Sequence, residues 1–286
     1  MSMRVKTGIY GLDPLLGGGF LPNTVNVVLG TTGVGKTLFS LHYAFEGLKN
    51  GENCLYISFD MNENEILKTA RSMGWDVDKY VNEGSLKVRK FVVEDITFLN
   101  NELLSFIFNN VSGRTRIVID SFTPLVSTHD YSVRKDVNWF FERLREVGTT
   151  VITLEEPLSG NIDHPHILMP VFLGDSLIHM KKLGYGDVLD KIIRILKHRN
   201  SWHAEGVFPY KILKGLGIVV DSKNYVERLE RKVELRNVLS DEEIERLPEE
   251  LLERIRLALE DHVYNEREVV SLVKWVIECY LSSNRS

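Results

Sequence analysis

The sequence predicts an α/β fold: a mostly parallel sheet flanked by helices, with an antiparallel extension and a helical C-terminal appendage. Three observations predict it. Short apolar runs alternate with amphipathic stretches from Thr24 to about Leu154, and alternation at that spacing builds a parallel sheet covered on both faces. From Asp175 to Val220 the pattern becomes consecutive short strands, with turn signals at Gly184-Tyr185-Gly186 and Gly215-Leu216-Gly217, the chemistry of antiparallel hairpins. Beyond Asp221 charged, amphipathic stretches take over. The expected domains are therefore residues 1–222 and 223–286.

The elements follow in order. Val25–Leu29, Cys54–Phe59, Leu86–Val93, Ile117–Asp120 and Thr149–Leu154 read as strands, being apolar runs of strand length. Leu38–Lys49, Glu63–Met73, Asn101–Asn110 and Val133–Val147 read as the helices between them. In the appendage, Val226–Asn237, Asp241–Arg246, Glu249–Asp261 and Glu266–Tyr280 carry leucine or valine stripes with charged opposite faces. Ser240-Asp241-Glu242-Glu243 has the form of a capping box, and Pro248 followed by acids marks another helix start.

Composition narrows the function classes. The chain has 286 residues, 43% of them hydrophobic, and a formal net charge of −5. From Val226 onward there are 15 acidic and 10 basic residues, so the first 225 balance at 25 of each. A neutral core with an acidic tail is not the profile of a dedicated nucleic-acid binder. There is no run of eighteen apolar residues, so no membrane insertion is expected. Met1–Lys6 lacks the apolar stretch of a signal peptide, and Cys54 and Cys279 form no disulfide framework. Both features point to a cytoplasmic protein.

The chemistry concentrates at Gly30-Thr31-Thr32-Gly33-Val34-Gly35-Lys36-Thr37, followed by Leu38. This is G-x-x-x-x-G-K-T between a strand and a helix, the form of a phosphate-binding loop. Glycines let successive N–H groups converge on one anion, and the helix that follows points its positive end at the same place. Lys36 is expected to reach the β- and γ-phosphates, and the Thr37 hydroxyl to ligate Mg²⁺. Arg116-Ile117-Val118-Ile119-Asp120-Ser121, with Asp120 lying 84 residues after Lys36, has the form of the partner motif. An apolar strand there ends in an acid placed to support the metal's shell. ATP and Mg²⁺ are the expected ligands.

Further segments carry a family resemblance. Thr7-Gly8-Ile9-Tyr10-Gly11-Leu12-Asp13 with Leu16-Gly17-Gly18-Gly19, Met73-Gly74-Trp75-Asp76, and Ile195-Leu196-Lys197-His198-Arg199-Asn200-Ser201-Trp202-His203 resemble the KaiC-like branch of the RecA superfamily of ATPases. The resemblance covers residues 5–220 and leaves the tail outside it. It implies a RecA-like core and a homo-oligomer, usually a hexameric ring with nucleotide between subunits. It also implies that Lys197 and Arg199 reach across the interface to the neighbour's nucleotide, and it places His203 near that site. A cation delivered there neutralises charge developing on the transferred phosphoryl group.

The sequence departs from the family in three places. Hydrolysing members carry paired glutamates after the second core strand, where this chain has Asp60-Met61. Asp60 is one methylene shorter and Met61 accepts no proton, so Asp60 is the expected base of a slow hydrolysis. Glu155 and Glu156 are candidate substitutes, read in the first instance as strand-end surface charges. The Ser-Thr pair phosphorylated in the family's clock member would fall near Val171-Phe172, neither of which has a hydroxyl, so no autophosphorylation is expected at that position. The loop expected at Pro157–Asp175 contains no Lys or Arg, and Ser127–Asp136 offers only Arg134 and Lys135, which argues against DNA in a central channel. His164-Pro165-His166 is read as part of a polar loop, since no ligand set accompanies it.

The expected function is an ATP-binding, slowly hydrolysing regulatory or assembly ATPase acting at subunit interfaces, with a protein partner engaged through the C-terminal helices. The alternatives are a non-hydrolysing ATP-locked scaffold, a RadA/RecA-type recombination or repair paralogue, and a platform resembling the archaeal-type flagellar accessory ATPase.

Overall fold

The computed structural model describes residues 3–92, 102–126, 133–158, 160, 165–183, 190–229, 235–260 and 266–283. The chain divides into two compact units, Met1–Ser222 and Lys223–Ser286.

The first unit is built on a nine-stranded sheet. Its strands are β1 Val25–Gly30, β2 Asn53–Ser58, β3 Leu86–Lys90, β4 Thr115–Asp120, β5 Thr149–Glu155, β6 Ser176–Leu183, β7 Asp190–His198, β8 Phe208–Leu213 and β9 Gly217–Val220. Their spatial order is β3-β2-β4-β5-β1-β6-β7-β8-β9. The first six in that order are mutually parallel, and β7 to β9 are antiparallel. The helices are α1 Lys36–Lys49, α2 Glu63–Ser72, α3 Asp78–Asn82, α4 Leu104–Asn110, α5 Thr123–Val126, α6 Val133–Val147 and α7 Pro165–Leu173, with a 3-10 turn at Asp13–Leu16.

β1 sits between β5 and β6 and is buried along its whole length. This is why it reads as a continuous apolar run rather than an alternating one. Its one polar residue, Asn26, is satisfied by the Thr150 carbonyl at 3.1 Å. On one face Val25, Val27, Leu29, Ile57, Ile119 and Ile152 pack against Phe122, Phe140 and Phe141. α1 packs against β2, β4 and β5, and Phe45 on it stacks on Trp75 with ring centroids 5.3 Å apart. Trp75 of the Met73-Gly74-Trp75-Asp76 segment is thus a packing residue behind the phosphate loop. α2 starts at a capping box in which Asn62 and Glu65 exchange hydrogen bonds.

The structure corrects the sequence reading at α7. Within the loop expected at Pro157–Asp175, the residues from Pro165 of the supposed polar loop to Leu173 form a helix with Pro170 inside it. Because α7 supplies a crossover, β6 returns parallel to β1, and the antiparallel extension starts one strand later than expected. The turn at Gly184-Tyr185-Gly186, His164, and residues 127–132 of the Ser127–Asp136 segment lie outside the described residues.

The second unit comprises α8 Lys223–Leu229, α9 Leu235–Val238, α10 Asp241–Glu245, α11 Glu249–Glu260 and α12 Glu266–Ser283. Val238, Leu239, Leu247, Leu252, Ile255, Leu259, Val273 and Ile277 form its core. The Ser240–Glu243 capping box is present in both directions. Among the described residues, no helix is long and apolar enough to cross a membrane.

Candidate active site

The site lies where β1, β2, β4 and β5 end at their carboxyl edge. β1 turns at Gly30, where a side chain would collide with the Met180 carbonyl of β6, 2.4 Å from the position of a β-carbon. Gly33 and Gly35 take φ values of +75° and +104°, a left-handed backbone that glycine adopts at little cost. Gly35 caps α1 with its backbone alone, so the helix's first N–H groups face the loop. The Tyr210 hydroxyl on β8 donates to the Val34 carbonyl at 2.6 Å and braces the loop from outside. Thr31 and Thr37 are half-buried, Thr32 is exposed, and Val34 and Leu38 are buried.

Lys36 is 8% exposed. Its ammonium donates to the Gly30 carbonyl at 2.8 Å and the Thr31 carbonyl at 3.1 Å, with Glu155 Oε1 at 3.8 Å. Burial pushes its pKa below the ordinary lysine value, and the charges of Glu155, Asp120 and Asp60 pull it back. Those same opposing charges place Lys36, Asp60, Asp120 and Glu155 in one electrostatic neighbourhood.

Asp120, at the end of β4, is buried. The Tyr56 hydroxyl donates to its Oδ2 at 2.8 Å and the Thr153 hydroxyl to its Oδ1. Tyr56 is itself fully buried, and both burial and Asp120 hold its phenol protonated. Two hydroxyl donors fix the carboxylate while leaving lone pairs for a hydrated cation. Sequence reading missed both donors. Each is an ordinary strand residue whose role appears only once β2, β4 and β5 are neighbours.

Asp60 follows β2 in a turn held by the Met61 N–H on Ser58 Oγ at 3.0 Å and by Lys90 Nζ on the Asp60 carbonyl at 2.7 Å. Its carboxyl is raised above the usual aspartate value, first by desolvation and then by the charges of Asp120 and Glu155. That shift moves a candidate base toward neutrality.

Glu155 and Glu156 part company. Glu155 is exposed, with 53% of its side chain accessible, on the Lys36 side. Glu156 is no surface charge: its side chain is 1% exposed. It lies 2.7 Å from His179 Nε2 and 3.1 Å from Lys181 Nζ, while its N–H donates to the Gly30 carbonyl at 3.0 Å. A carboxylate leaving β5 thus reaches across the end of β1 to β6, which the order of the strands permits and the sequence does not display.

Lys197 and Arg199 are not brought to this site in their own chain. Lys197 faces Leu177 at the opposite end of β6. Its ammonium donates to the carbonyls of Val171, Phe172 and Gly174 at 2.6–3.1 Å. Arg199 donates to the Phe172 carbonyl at 2.7 Å, and it sits in the turn after β7 rather than on a strand. Both cations therefore cap the C-terminal end of α7, where helix carbonyls lack partners. Burial and the neighbouring Arg199 charge lower Lys197 to about 8. His203 lies beside His198, ring centroids 6.5 Å apart, away from the chain's own loop.

Residues 5–225 match the family described as "ATPase: KaiC". The chain belongs to the KaiC family of ATPases. With that match, the α/β sheet of the first unit is a RecA-like fold, and residues 5–225 form an ATP-binding KaiC-like ATPase domain. Among curated relatives, the circadian clock protein KaiC3 of Synechocystis sp. is 27% identical over 260 residues, covering 85% of this chain and 50% of the relative. The circadian clock oscillator protein KaiC of Synechococcus elongatus is 28% identical over 222 residues, 73% of this chain and 42% of the relative. That of Prochlorococcus marinus is 27% identical over 220 residues, 72% and 43%. The chain spans about half the length of these KaiC relatives.

Proposed function

We propose that this chain is a slowly hydrolysing regulatory or assembly ATPase whose nucleotide is read at contacts between copies of itself. The observation that carries the reading is the gathering of Lys36, Asp60 and Asp120 at one carboxyl edge of the sheet, beside a loop whose glycines leave the backbone open to phosphate. The donor set fits Mg-ATP. Loop N–H groups and Lys36 would hold the phosphates, and the Thr37 hydroxyl and Asp120 would hold Mg²⁺, which screens phosphate charge when bound. Asp60 orients water and accepts its proton. Its raised pKa favours the task, while its short side chain and the thioether of Met61 limit the rate.

The likeness to KaiC proteins supports self-association, and the hexameric ring is part of this proposal. In it, Lys197 and Arg199 exchange the carbonyls of α7 for a neighbour's phosphates. Residues 223–286 serve as the attachment for a protein partner.

Met61 also favours a second reading, an ATP-locked scaffold that binds without turnover. A phosphate-release assay under single-turnover conditions decides between the two. The proposal expects slow, measurable release from the wild type, none from Lys36→Ala, and at least tenfold slower release from Asp60→Ala. Equal rates for wild type and Asp60→Ala contradict the assigned base, and no release from wild type that still binds ATP favours the scaffold.

A further inference from the structure

β6 brings one more cation to the phosphate loop. Gly30 pairs with Met180, so Lys182 lies two residues beyond the point where β1 turns into the loop. Its ammonium is 3.0 Å from the position that a β-carbon on Gly33 would occupy. Gly33, with φ of +75°, therefore serves two purposes: it makes the turn, and it leaves the space through which this ammonium approaches the loop.

The neighbouring cations are engaged. Lys181 is bound to Glu156, and Lys36 to Glu155 and two loop carbonyls. Among the described residues, no carboxylate or hydrogen-bond acceptor holds Lys182, which is exposed. Successive strand residues point to opposite faces, so Lys181 and Lys182 divide between the buried carboxylate and the loop.

The residue directly opposite Lys182 on β7 is Lys191. Like charges paired across strands repel, and Lys191 has its pKa lowered by burial and by the Lys182 charge. Such a pair becomes favourable when a polyanion lies against it.

We propose that Lys182 is a second phosphate-binding ammonium of this site, supplied by the same chain and reaching over Gly33 to the polyphosphate of the bound nucleotide. It gives the loop a cation of its own in addition to Lys36, before any neighbouring copy contributes one. The inference rests on the nucleotide-binding reading above.

The test is titration calorimetry of the full chain with Mg-ATP for wild type, Lys182→Ala, Lys182→Gln and Lys182→Arg, at low salt and at 1 M salt. Thermal unfolding midpoints confirm that each variant is folded. A charge-assisted contact to phosphate predicts about tenfold weaker ATP binding for Lys182→Ala and Lys182→Gln at low salt. It also predicts largely retained affinity in Lys182→Arg, and a gap that narrows at 1 M salt. Wild type that binds ATP while Lys182→Ala binds it equally well overturns the assignment of Lys182 alone. A wild type that takes up no ATP overturns the nucleotide reading and this inference with it.

Discussion

At the residue scale, the proposed hydrolysis turns on Asp60. Desolvation and the nearby Asp120 and Glu155 charges raise its pKa; in the proposed mechanism that shift suits proton abstraction, and the short side chain is what limits the rate. Asp60→Glu adds the missing methylene and is expected to raise single-turnover hydrolysis by about 10- to 100-fold. An unchanged or slower rate argues that reach is not the limit. Glu156 is the second telling residue. Removing its carboxylate by Glu156→Ala strips the buried partner from His179 and Lys181. This is expected to lower unfolding free energy by about 2 kcal/mol in urea, most of it from His179, because water already solvates part of Lys181. These two residues also show what could be read from the chain. The place of Asp60 just beyond β2 was legible because it follows its strand directly. Glu156 was not, because its partners lie on β6, brought near only by β1 lying between β5 and β6. Lys182 was hidden for the same reason.

At the element scale, α1 joins the phosphate loop to the rest of the sheet. His42, buried on α1, accepts from the Ile218 N–H at 2.8 Å through Nε2, while its Nδ1 lies 3.2 Å from the Gly8 carbonyl. That pattern requires a neutral ring, and burial lowers its pKa to about 4 from the ordinary 6.5. As pH falls below 6.5 the unfolded chain takes up this proton before the folded one does. The stability His42 contributes is therefore complete above pH 6.5 and lost toward pH 4. Urea unfolding at pH 7 and pH 4.5 is expected to show wild type losing about 2 kcal/mol more on acidification than His42→Gln; equal losses exclude the neutral ring as the cause. The elements themselves were largely legible, because fully buried parallel strands and amphipathic helices have distinct periods. α7 escaped because it is apolar nearly throughout and contains Pro170, so it shows no charged face and carries a helix-breaking residue. Missing it concealed that β6 is parallel to β1.

At the scale of the whole molecule, Lys197 and Arg199 cap α7 at the far end of the sheet from the chain's own phosphate loop. Any catalytic use of them requires a second copy. Arg199→Ala is expected to slow turnover about tenfold or more while leaving ATP affinity within about threefold, and mass measurement is expected to show a larger assembly with Mg-ATP than without. A monomer under both conditions contradicts the shared site. Nothing in one chain's sequence displays a contact between copies, so this part of the proposal came from family likeness rather than from residue pattern. The claim beneath all of it is that the loop at residues 30–37 grips a triphosphate through backbone amides and Lys36. Calorimetry of the full chain with Mg-ATP tests it most directly. Saturable uptake by wild type that is lost or weakened at least 100-fold in Lys36→Ala is the predicted result, and no uptake by folded wild-type protein would contradict it.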